Sequence, residues 1–600
     1  MTNIDTTLDM AFYAYNQNDF ETAEELVRDI LTISPSNGDA LYLLGLIAYR
    51  SNALEPAEKL LYEAVKLYPN SQQYELALAG VLQKDGRLDE ALSFYEKYKN
   101  NPLVLSQIGY IYLQKGQNDF AKSAFEETLK HDSNCQNALI GLALLERQKE
   151  NHEQALSILN QANQSEHNNT ELYYQLAVQN RLCGYYKEAL DWITKVLKIY
   201  KTASFLNEKG LILEKLDLCG TAQKTYEEAI DIDSYAPDSF ANLANLYLKQ
   251  NNYRRAEEYY KKALALDCDF LQAHHNLAIA LCKQDRKAEG LEHYRSALLI
   301  NPHHISSLYN LAMILEEMGE YSEAAGLYFN ILTLKSHPEL IDFRIANTLS
   351  CLAELNKKGY KEALNFAKGW VKHFSENNIA RHVLNALTHN QKDNTYLNNY
   401  VKMLFDSFAE TYDDTMHHLE STVLDTVIHL IDNLPQQSFE NILDLACGTG
   451  KFGTLLNKPF KNLTGVDISE KMLKIAAKQG VYSNLIHQDI HTYLDEIHIR
   501  YDLIVAVELT NYLADVTPLI QRVSHCLTDD GYFLFSIEQT QKEDIWLSLQ
   551  GRYQYRETYI QSILEKYNLV AKQIHKIDLR KEGKSTEKGV LFVCQKRHNN

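Results

Sequence analysis

The sequence predicts a long all-α solenoid followed by an α/β domain built on a mostly parallel seven-stranded sheet. Three observations point there. Small residues recur with a period close to 34 over the first two thirds of the 600 residues. Beyond Tyr396 the pattern becomes short hydrophobic runs alternating with amphipathic helices. Breakers are scarce, with 24 Gly in 600 residues, or 4%, and 10 Pro; glycine is usually about 7%. Long helices are therefore favoured, and a collagen-like, Gly/Pro-rich or all-β chain is excluded.

The repeat is carried by two series. Ala11, Gly45, Ala79, Gly109 and Ala143 open the first, which runs on to Ala312 and Cys351, mostly in steps of 34. Ala23, Ala57, Ala91, Ala121 and Ala155 open the second, 12 residues behind, which ends at Ala363. Each unit holds two helical stripes joined by a polar turn. Phe240, Leu243, Ala244 and Tyr247 share one face at i, i+3, i+4 and i+7; Asn251 and Asn252 turn the chain; Tyr253, Ala256, Tyr260 and Ala263 form the second stripe. Small residues let two helices approach, and large ones fill the space between. Pro35, Pro69, Pro102, Pro302 and Pro338 fall between units, where a helix must end. Length and pattern resemble the tetratricopeptide repeat, and eleven units cover residues 4 to 377.

Such helix pairs stack into a superhelix whose concave face grips a peptide or protein. Asn242, Asn276 and Asn310 recur at 34-residue spacing, each opening an Asn-Leu-Ala triplet. Side-chain amides both donate and accept, which suits the backbone of an extended peptide. The ladder is similar to that of the O-linked N-acetylglucosamine transferase repeats, a resemblance that implies this use; the competing reading is a common consensus residue. His274-His275 and His303-His304 have no carboxylate or thiol set at ligand spacing, so no metal is expected.

Composition bounds the partners. With 60 Lys and Arg against 79 Asp and Glu the net charge is −19, and no run of five basic residues occurs, so nucleic acid is not an expected partner. Nine scattered cysteines without a CxxC pair read as reduced, buried thiols. The N-terminus lacks a basic leader region and no apolar stretch is long enough to cross a bilayer, so no membrane is expected and the location predicted is cytoplasmic.

The 34-residue register fails beyond Ala363, and the polar run Asn390 to Thr395 reads as a linker, which divides the chain into repeats 1–377, a linker 378–396 and a domain 397–600. In that domain strands are expected at Asn441–Ala446, Leu463–Asp467, Leu485–His487, Tyr501–Val507, Tyr532–Ile537, Leu569–Lys576 and Val590–Gln595. β-α alternation of this kind calls for an open, mostly parallel sheet with its ligand at the carboxyl ends of the central strands. The first strand leads into Asp444-Leu445-Ala446-Cys447-Gly448-Thr449-Gly450-Lys451-Phe452-Gly453. Its glycines allow close backbone approach. Asp467 and Asp489 end the next two strand regions. Gly448, Gly450 and Gly453 formally fit a dinucleotide fingerprint, with Asp467 near the expected offset. Asp444 opposes a pyrophosphate there and suits a cationic ligand instead.

The run resembles the first motif of class I S-adenosylmethionine-dependent methyltransferases, with Ala446 in place of the first glycine. Tyr501 to Ala506 and the turn Leu527 to Phe535 extend the resemblance. A narrower one covers the whole chain: Leu404 to Asp413, Glu508 to Asp515 and Phe535 to Glu538 are similar to a bacterial group of methyltransferases that carry tetratricopeptide repeats. The resemblance implies a Rossmann-like methyltransferase domain with S-adenosylmethionine as cofactor. It implies that Ala446, Gly448 and Gly450 pack against the aminoacyl part, that Asp444 meets the ammonium group, and that Asp467 and Ile468 meet the ribose. Asp489 and Ile490 would flank the adenine, and Tyr412 would cover the cofactor.

The acceptor side is less defined. Methyl transfer is a displacement on an activated methyl, so alignment and water exclusion supply much of the catalysis, and a base is needed only for a weakly acidic acceptor. Glu508, Tyr512, His417 and His418 are candidates by position, without one being singled out, and Arg580 is a candidate anchor for an acidic acceptor. The reading is a methyltransferase whose repeat arm recruits a protein or protein-borne acceptor. The alternatives are a small-molecule methyltransferase with repeats for localisation, or a non-enzymatic scaffold whose domain binds the cofactor.

Overall fold

The computed structural model describes residues 4–164, 169–334, 338, 340–390, 394–582 and 585–597. They fall into two compact units that divide between Gln284 and Asp285.

The first unit is helical throughout its described residues. Antiparallel pairs run from Ile4–Asn16 with Phe20–Ile33 to Pro237–Lys249 with Tyr253–Leu266, and Leu271–Cys282 follows. The expected small-to-large packing sets the pairs. A Cβ on Gly210 would lie 2.2 Å from the Tyr226 ring, so that ring fills the space glycine leaves. Ala244, Ala256, Tyr260 and Ala263 are likewise buried. Between the stripes Asn251 takes a left-handed φ of 58° and the Asn252 side chain caps the next helix from the Arg255 N–H. Pro102 stands at the first position of its helix, where a missing N–H costs nothing.

The second unit opens on repeat helices: Lys287–Ile300, the pairs Ile305–Glu317 with Tyr321–Leu332 and Ile341–Leu355 with Lys357–His373, and then Asn378–Thr388. The last falls within the stretch 378–396 expected as a linker. Its first half is a capped helix, with Asn377 accepting from the Ala380 N–H and Ile379, Ala380, His382 and Ala386 buried. Residues 391–393 of the polar run lie outside the described residues. A lead-in follows, Leu397–Phe408, the short 3-10 turn Ala409–Thr411 and Tyr412–His418.

The seven expected strands form one sheet: β1 Phe439–Leu445, β2 Phe460–Asp467, β3 Asn484–His487, β4 Tyr501–Ala506, β5 Leu527–Glu538, β8 Leu569–Glu582 and β9 Ser585–Lys596. Their order is β3-β2-β1-β4-β5-β9-β8, parallel from β3 to β5, with β9 antiparallel to both neighbours. A two-stranded hairpin, β6 Ile545–Leu547 with β7 Tyr553–Tyr555, forms a second small sheet that an isolated bridge from Tyr555 to Gln539 ties to the end of β5. Central strands are buried on both faces, through Ile442, Leu443, Leu503, Ile504, Val505, Phe533 and Leu534, which is why they read as continuous apolar runs. Strand order reverses at β1/β4, so a crevice opens where their carboxyl ends diverge.

Candidate active site

The chain leaves β1 through Ala446 and β4 through Glu508, and both residues hold left-handed backbone, φ 58° and 55°. Such conformations cost a residue with a Cβ about 1–2 kcal/mol. Their coincidence at the switch point marks two loops bent to open a cavity. The Glu508 N–H is held by the Ser536 hydroxyl at 2.7 Å, and the Thr510 hydroxyl bonds the Ser536 carbonyl at 2.7 Å.

Two neighbouring cavities meet at Tyr412, Met416, Ala446, Gly448, Val507 and Glu508. One reaches Asp467, Ile468, Asp489 and Ile490; the other reaches Asp444, Thr449 and His417. The structure thus brings together most of the residues expected for the cofactor, but it separates the roles of the two motif glycines. Gly448 lines both cavities with φ 53°, and a Cβ there would meet nothing within 4 Å. Gly450 faces protein instead: its Cβ would come within 3.1 Å of Ala476 and of the Tyr482 ring. Glycine at 450 therefore makes room for loop packing. Tyr482 also sits where Cβ atoms on Gly453 and Gly465 would be, at 2.9 and 2.8 Å.

Asp444 is buried and accepts a 2.6 Å hydrogen bond from the Tyr482 hydroxyl. Burial pushes its carboxyl up to about 7; the Tyr482 bond opposes that and the Asp467 charge adds to it. Asp467 is raised too, by burial, against the lowering effect of backbone N–H donors. Its two oxygens accept from the Gly448 N–H at 2.9 Å and the Ser469 N–H at 2.8 Å, tying the first loop to the second. Asp489 caps the helix Ile490–Glu496 through one oxygen, bonded to the His491 and Thr492 N–H groups at 3.0 Å, and takes Asn398 at 3.1 Å on the other. A carboxylate has about four acceptor sites, so Asp467 and Asp489 keep capacity beyond these bonds.

The lead-in forms the roof. Phe405, Phe408 and Tyr412 line the first cavity with Tyr512; the Phe405 centroid lies 5.5, 6.2 and 5.1 Å from those of Phe408, Tyr412 and Tyr512. Both ends of Leu397–Phe408 are bonded to the shelf below: Asn398 to Asp489, and Asp406 to the Ser469 hydroxyl at 2.6 Å. Thr449 adds a 2.8 Å bond to Asp413.

The acceptor candidates separate. Burial raises the Tyr512 phenol, which therefore stays protonated near neutral pH. Glu508 lines the cavity but is paired with Arg580 at 3.0 Å. Arg580 also reaches Glu538 at 2.7 Å, and Glu538 takes Arg552 at 3.1 Å and Gln554 at 2.6 Å. His417 and His418 are exposed on Tyr412–His418, and His417 reaches the second cavity. Of the partner candidates, Asn242 and Asn276 are half-buried in the first unit, with Asn276 donating to Asn245 at 2.8 Å; Asn310 is half-buried in the second. Tyr482, Asn398, Phe405 and Arg552 were not legible as site residues. The pattern Arg552-Tyr553-Gln554-Tyr555, alternating polar and aromatic, was the available signal for the last.

A family model described as a methyltransferase domain matches residues 416–573, and one described as a tetratricopeptide repeat matches 8–72 and 107–166. Residues 240–343 match the middle TPR-like domain of cilia and flagella-associated protein 70. The C-terminal domain is a class I methyltransferase domain. That class implies S-adenosylmethionine as cofactor, and the carboxylates of Asp444, Asp467 and Asp489, with an open backbone at Gly448, fit a cationic nucleoside. The chain is 29% identical over 282 residues to the TPR repeat-containing protein MJ1428 of Methanocaldococcus jannaschii, covering 43% of this chain and 49% of that one. It is 28% identical over 149 residues to a protein of Geobacillus sp. strain WCH70 named as a methyltransferase, covering 24% and 60%. It is 28% identical over 142 residues to the malonyl-[acyl-carrier protein] O-methyltransferase of Bacillus anthracis, covering 23% and 49%. The chain thus spans 49–60% of the length of these relatives. A solved human IFIT1 dimer is similar at 17% identity with a TM-score of 0.42, covering 59% of this chain and 91% of that one. Among the described residues no helix is long and apolar enough to cross a membrane.

Proposed function

We propose that this protein transfers a methyl group from S-adenosylmethionine to an acceptor, a protein or a protein-borne group, brought in by the repeats. The observation that carries the reading is the acidic shelf at the ends of β1, β2 and β3 beneath the Phe405–Tyr412 roof. When bound, the cofactor supplies a methyl group activated by a sulfonium centre. Asp444 is assigned its ammonium group and Asp467 its ribose. Gly448 and Ala446 are assigned the aminoacyl backbone, and Ile468, Asp489 and Ile490 the adenine. Tyr412 and its aromatic neighbours exclude water, and a π face beside a cation adds about 0.5–2 kcal/mol of attraction. Tyr512 stays protonated and Glu508 is paired with Arg580, so neither is a ready base, and alignment is assigned much of the catalysis.

The repeats are assigned the recruitment of the acceptor, with Asn242, Asn276 and Asn310 as candidate contacts. The test is a calorimetric titration of S-adenosylmethionine into the full chain, cleared of co-purified product, beside Asp467→Ala. Binding lost in a folded Asp467→Ala, with labelled methyl appearing on an acceptor, supports the reading. A folded wild type that binds no cofactor ends it.

A further inference from the structure

The helix Asn378–Thr388, the lead-in helix and the β6–β7 hairpin meet at one buried side chain, His382. Its Nε2 lies 2.7 Å from the Gly551 carbonyl and its Nδ1 lies 3.2 Å from the Tyr396 hydroxyl. A carbonyl only accepts, so Nε2 carries the hydrogen and Nδ1 accepts from Tyr396, whose oxygen takes the Asn385 amide at 2.9 Å. Burial lowers the ring to about 4, and the neutral tautomer satisfies both partners. The ring stacks on Tyr400 of the lead-in helix with centroids 3.9 Å apart. Gly551 turns the hairpin at φ 77°, and a Cβ on it would lie 2.8 Å from His382 Nε2, so this close approach needs glycine. Seven residues on, just past the end of that helix, the His389 ring lies 4.0 Å from the Trp546 ring of β6, tilted by 31°.

The next residue of the hairpin is Arg552. Its backbone is fixed by the Ser548 hydroxyl at 3.2 Å, and its side chain lines the first cavity while bonding Glu538. Gln554 on β7 holds the other Glu538 oxygen, and Arg580 joins Glu538 to Glu508. The wall of the cavity opposite the cofactor shelf therefore hangs on a hairpin whose turn is anchored to a helix that continues the repeats.

We propose that His382 is a positioning residue: by holding the Gly551 carbonyl it sets the place of Arg552, and the helix Asn378–Thr388 is thereby a built part of the acceptor side of the cavity. This rests on the methyl-transfer reading only for its consequence in turnover; the positioning itself is independent of it. A domain cut at 397 would keep the cofactor shelf and lose this support.

The test uses the full chain with His382→Ala, His382→Gln and Arg552→Ala. Hydrogen exchange is followed over 545–556, alongside S-adenosylmethionine titration and transfer of labelled methyl to acceptors in a lysate. Expected are exchange over 545–556 at least tenfold faster in His382→Ala, largely restored in His382→Gln, whose amide can still donate to the carbonyl. Cofactor affinity should stay within twofold. Transfer should fall about as far in His382→Ala as in Arg552→Ala, with the double variant no worse than either. Wild-type exchange over 545–556 in a folded His382→Ala overturns the proposal. So does a tenfold loss of cofactor affinity, which would make His382 a general support of the domain. If the wild type binds cofactor and transfers nothing, methyl transfer fails as a reading, and the exchange measurement still decides the role of His382.

Discussion

The carboxyl of Asp444 lies near the midpoint of its titration at neutral pH, at about 7, because it is buried. A cationic ligand favours its ionised form, so binding must release the proton that the free site still holds. Affinity for S-adenosylmethionine should therefore rise as pH goes from 5.5 to 7.5, approaching tenfold per unit at the acid end. Asp467, also raised, adds the same sign. In the free protein the sign is opposite. A folded value above the unfolded one means that folded chains hold more protons between about 4 and 7, so stability falls across that window as pH rises. Calorimetry at pH 6 in two buffers of different ionisation enthalpy should count close to one proton released per cofactor, and Asp444→Asn should flatten the profile. A pH-independent wild-type affinity would remove Asp444 from the ammonium site. At this scale the sequence was partly legible. Asp444, Gly448 and Asp467 stood in a motif, because chemistry needs them at fixed offsets from strand ends. Tyr482 did not: it reaches Asp444 from 38 residues downstream and carries no signature. Nothing in the sequence therefore showed that glycine at 450 leaves room for a ring.

Among the elements, the lead-in helix Leu397–Phe408 is expected to govern access, since its two ends are bonded to Asp489 and Ser469. Asp406 is the stronger tie. Burial alone would raise its carboxyl, but the hydrogen bonds from Lys402 and Ser469 outweigh that and hold it below the usual range. A hydrogen bond to a charged group contributes about 1.5–3 kcal/mol, so Asp406→Ala should weaken cofactor binding by roughly tenfold or more, chiefly through faster dissociation. Stopped-flow displacement of bound cofactor measures it, and an unchanged off-rate would show that the roof opens elsewhere. The existence of the seven strands and of the repeat helix pairs was legible because their patterns are apolar and regular, but β5, β8 and β9 each run five or six residues beyond one expected end. The β6–β7 hairpin was not: three-residue strands offer too few alternations to register a period. Nor was Asn378–Thr388, a helix that follows the last repeat pair with no second helix to complete the 34-residue pattern.

The two-unit division is a property of the whole molecule, and it falls between the helices Leu271–Cys282 and Lys287–Ile300. The small-residue period runs through that point unchanged, at Ala278 and Gly290, so periodicity alone placed the boundary near 377, where the register ends. Cohesion in a repeat array is set by neighbours, and the last repeat helices gain theirs from the methyltransferase domain: Asn378–Thr388 through His382 and His389, and Ile341–Leu355 through Phe343, whose ring lies 6.4 Å from that of Tyr400. A ligand that binds only the folded form stabilises what unfolds with its site, by about 2.7 kcal/mol at a hundredfold excess over the dissociation constant. Saturating S-adenosylmethionine should therefore slow hydrogen exchange in Ile341–Leu355 and Asn378–Thr388 along with β1 to β5, and leave the helices of residues 4–284 unchanged. Protection that stopped at Leu397 would place the boundary at the start of the expected domain 397–600. Protection that spread through residues 4–284 would make the chain one cooperative body.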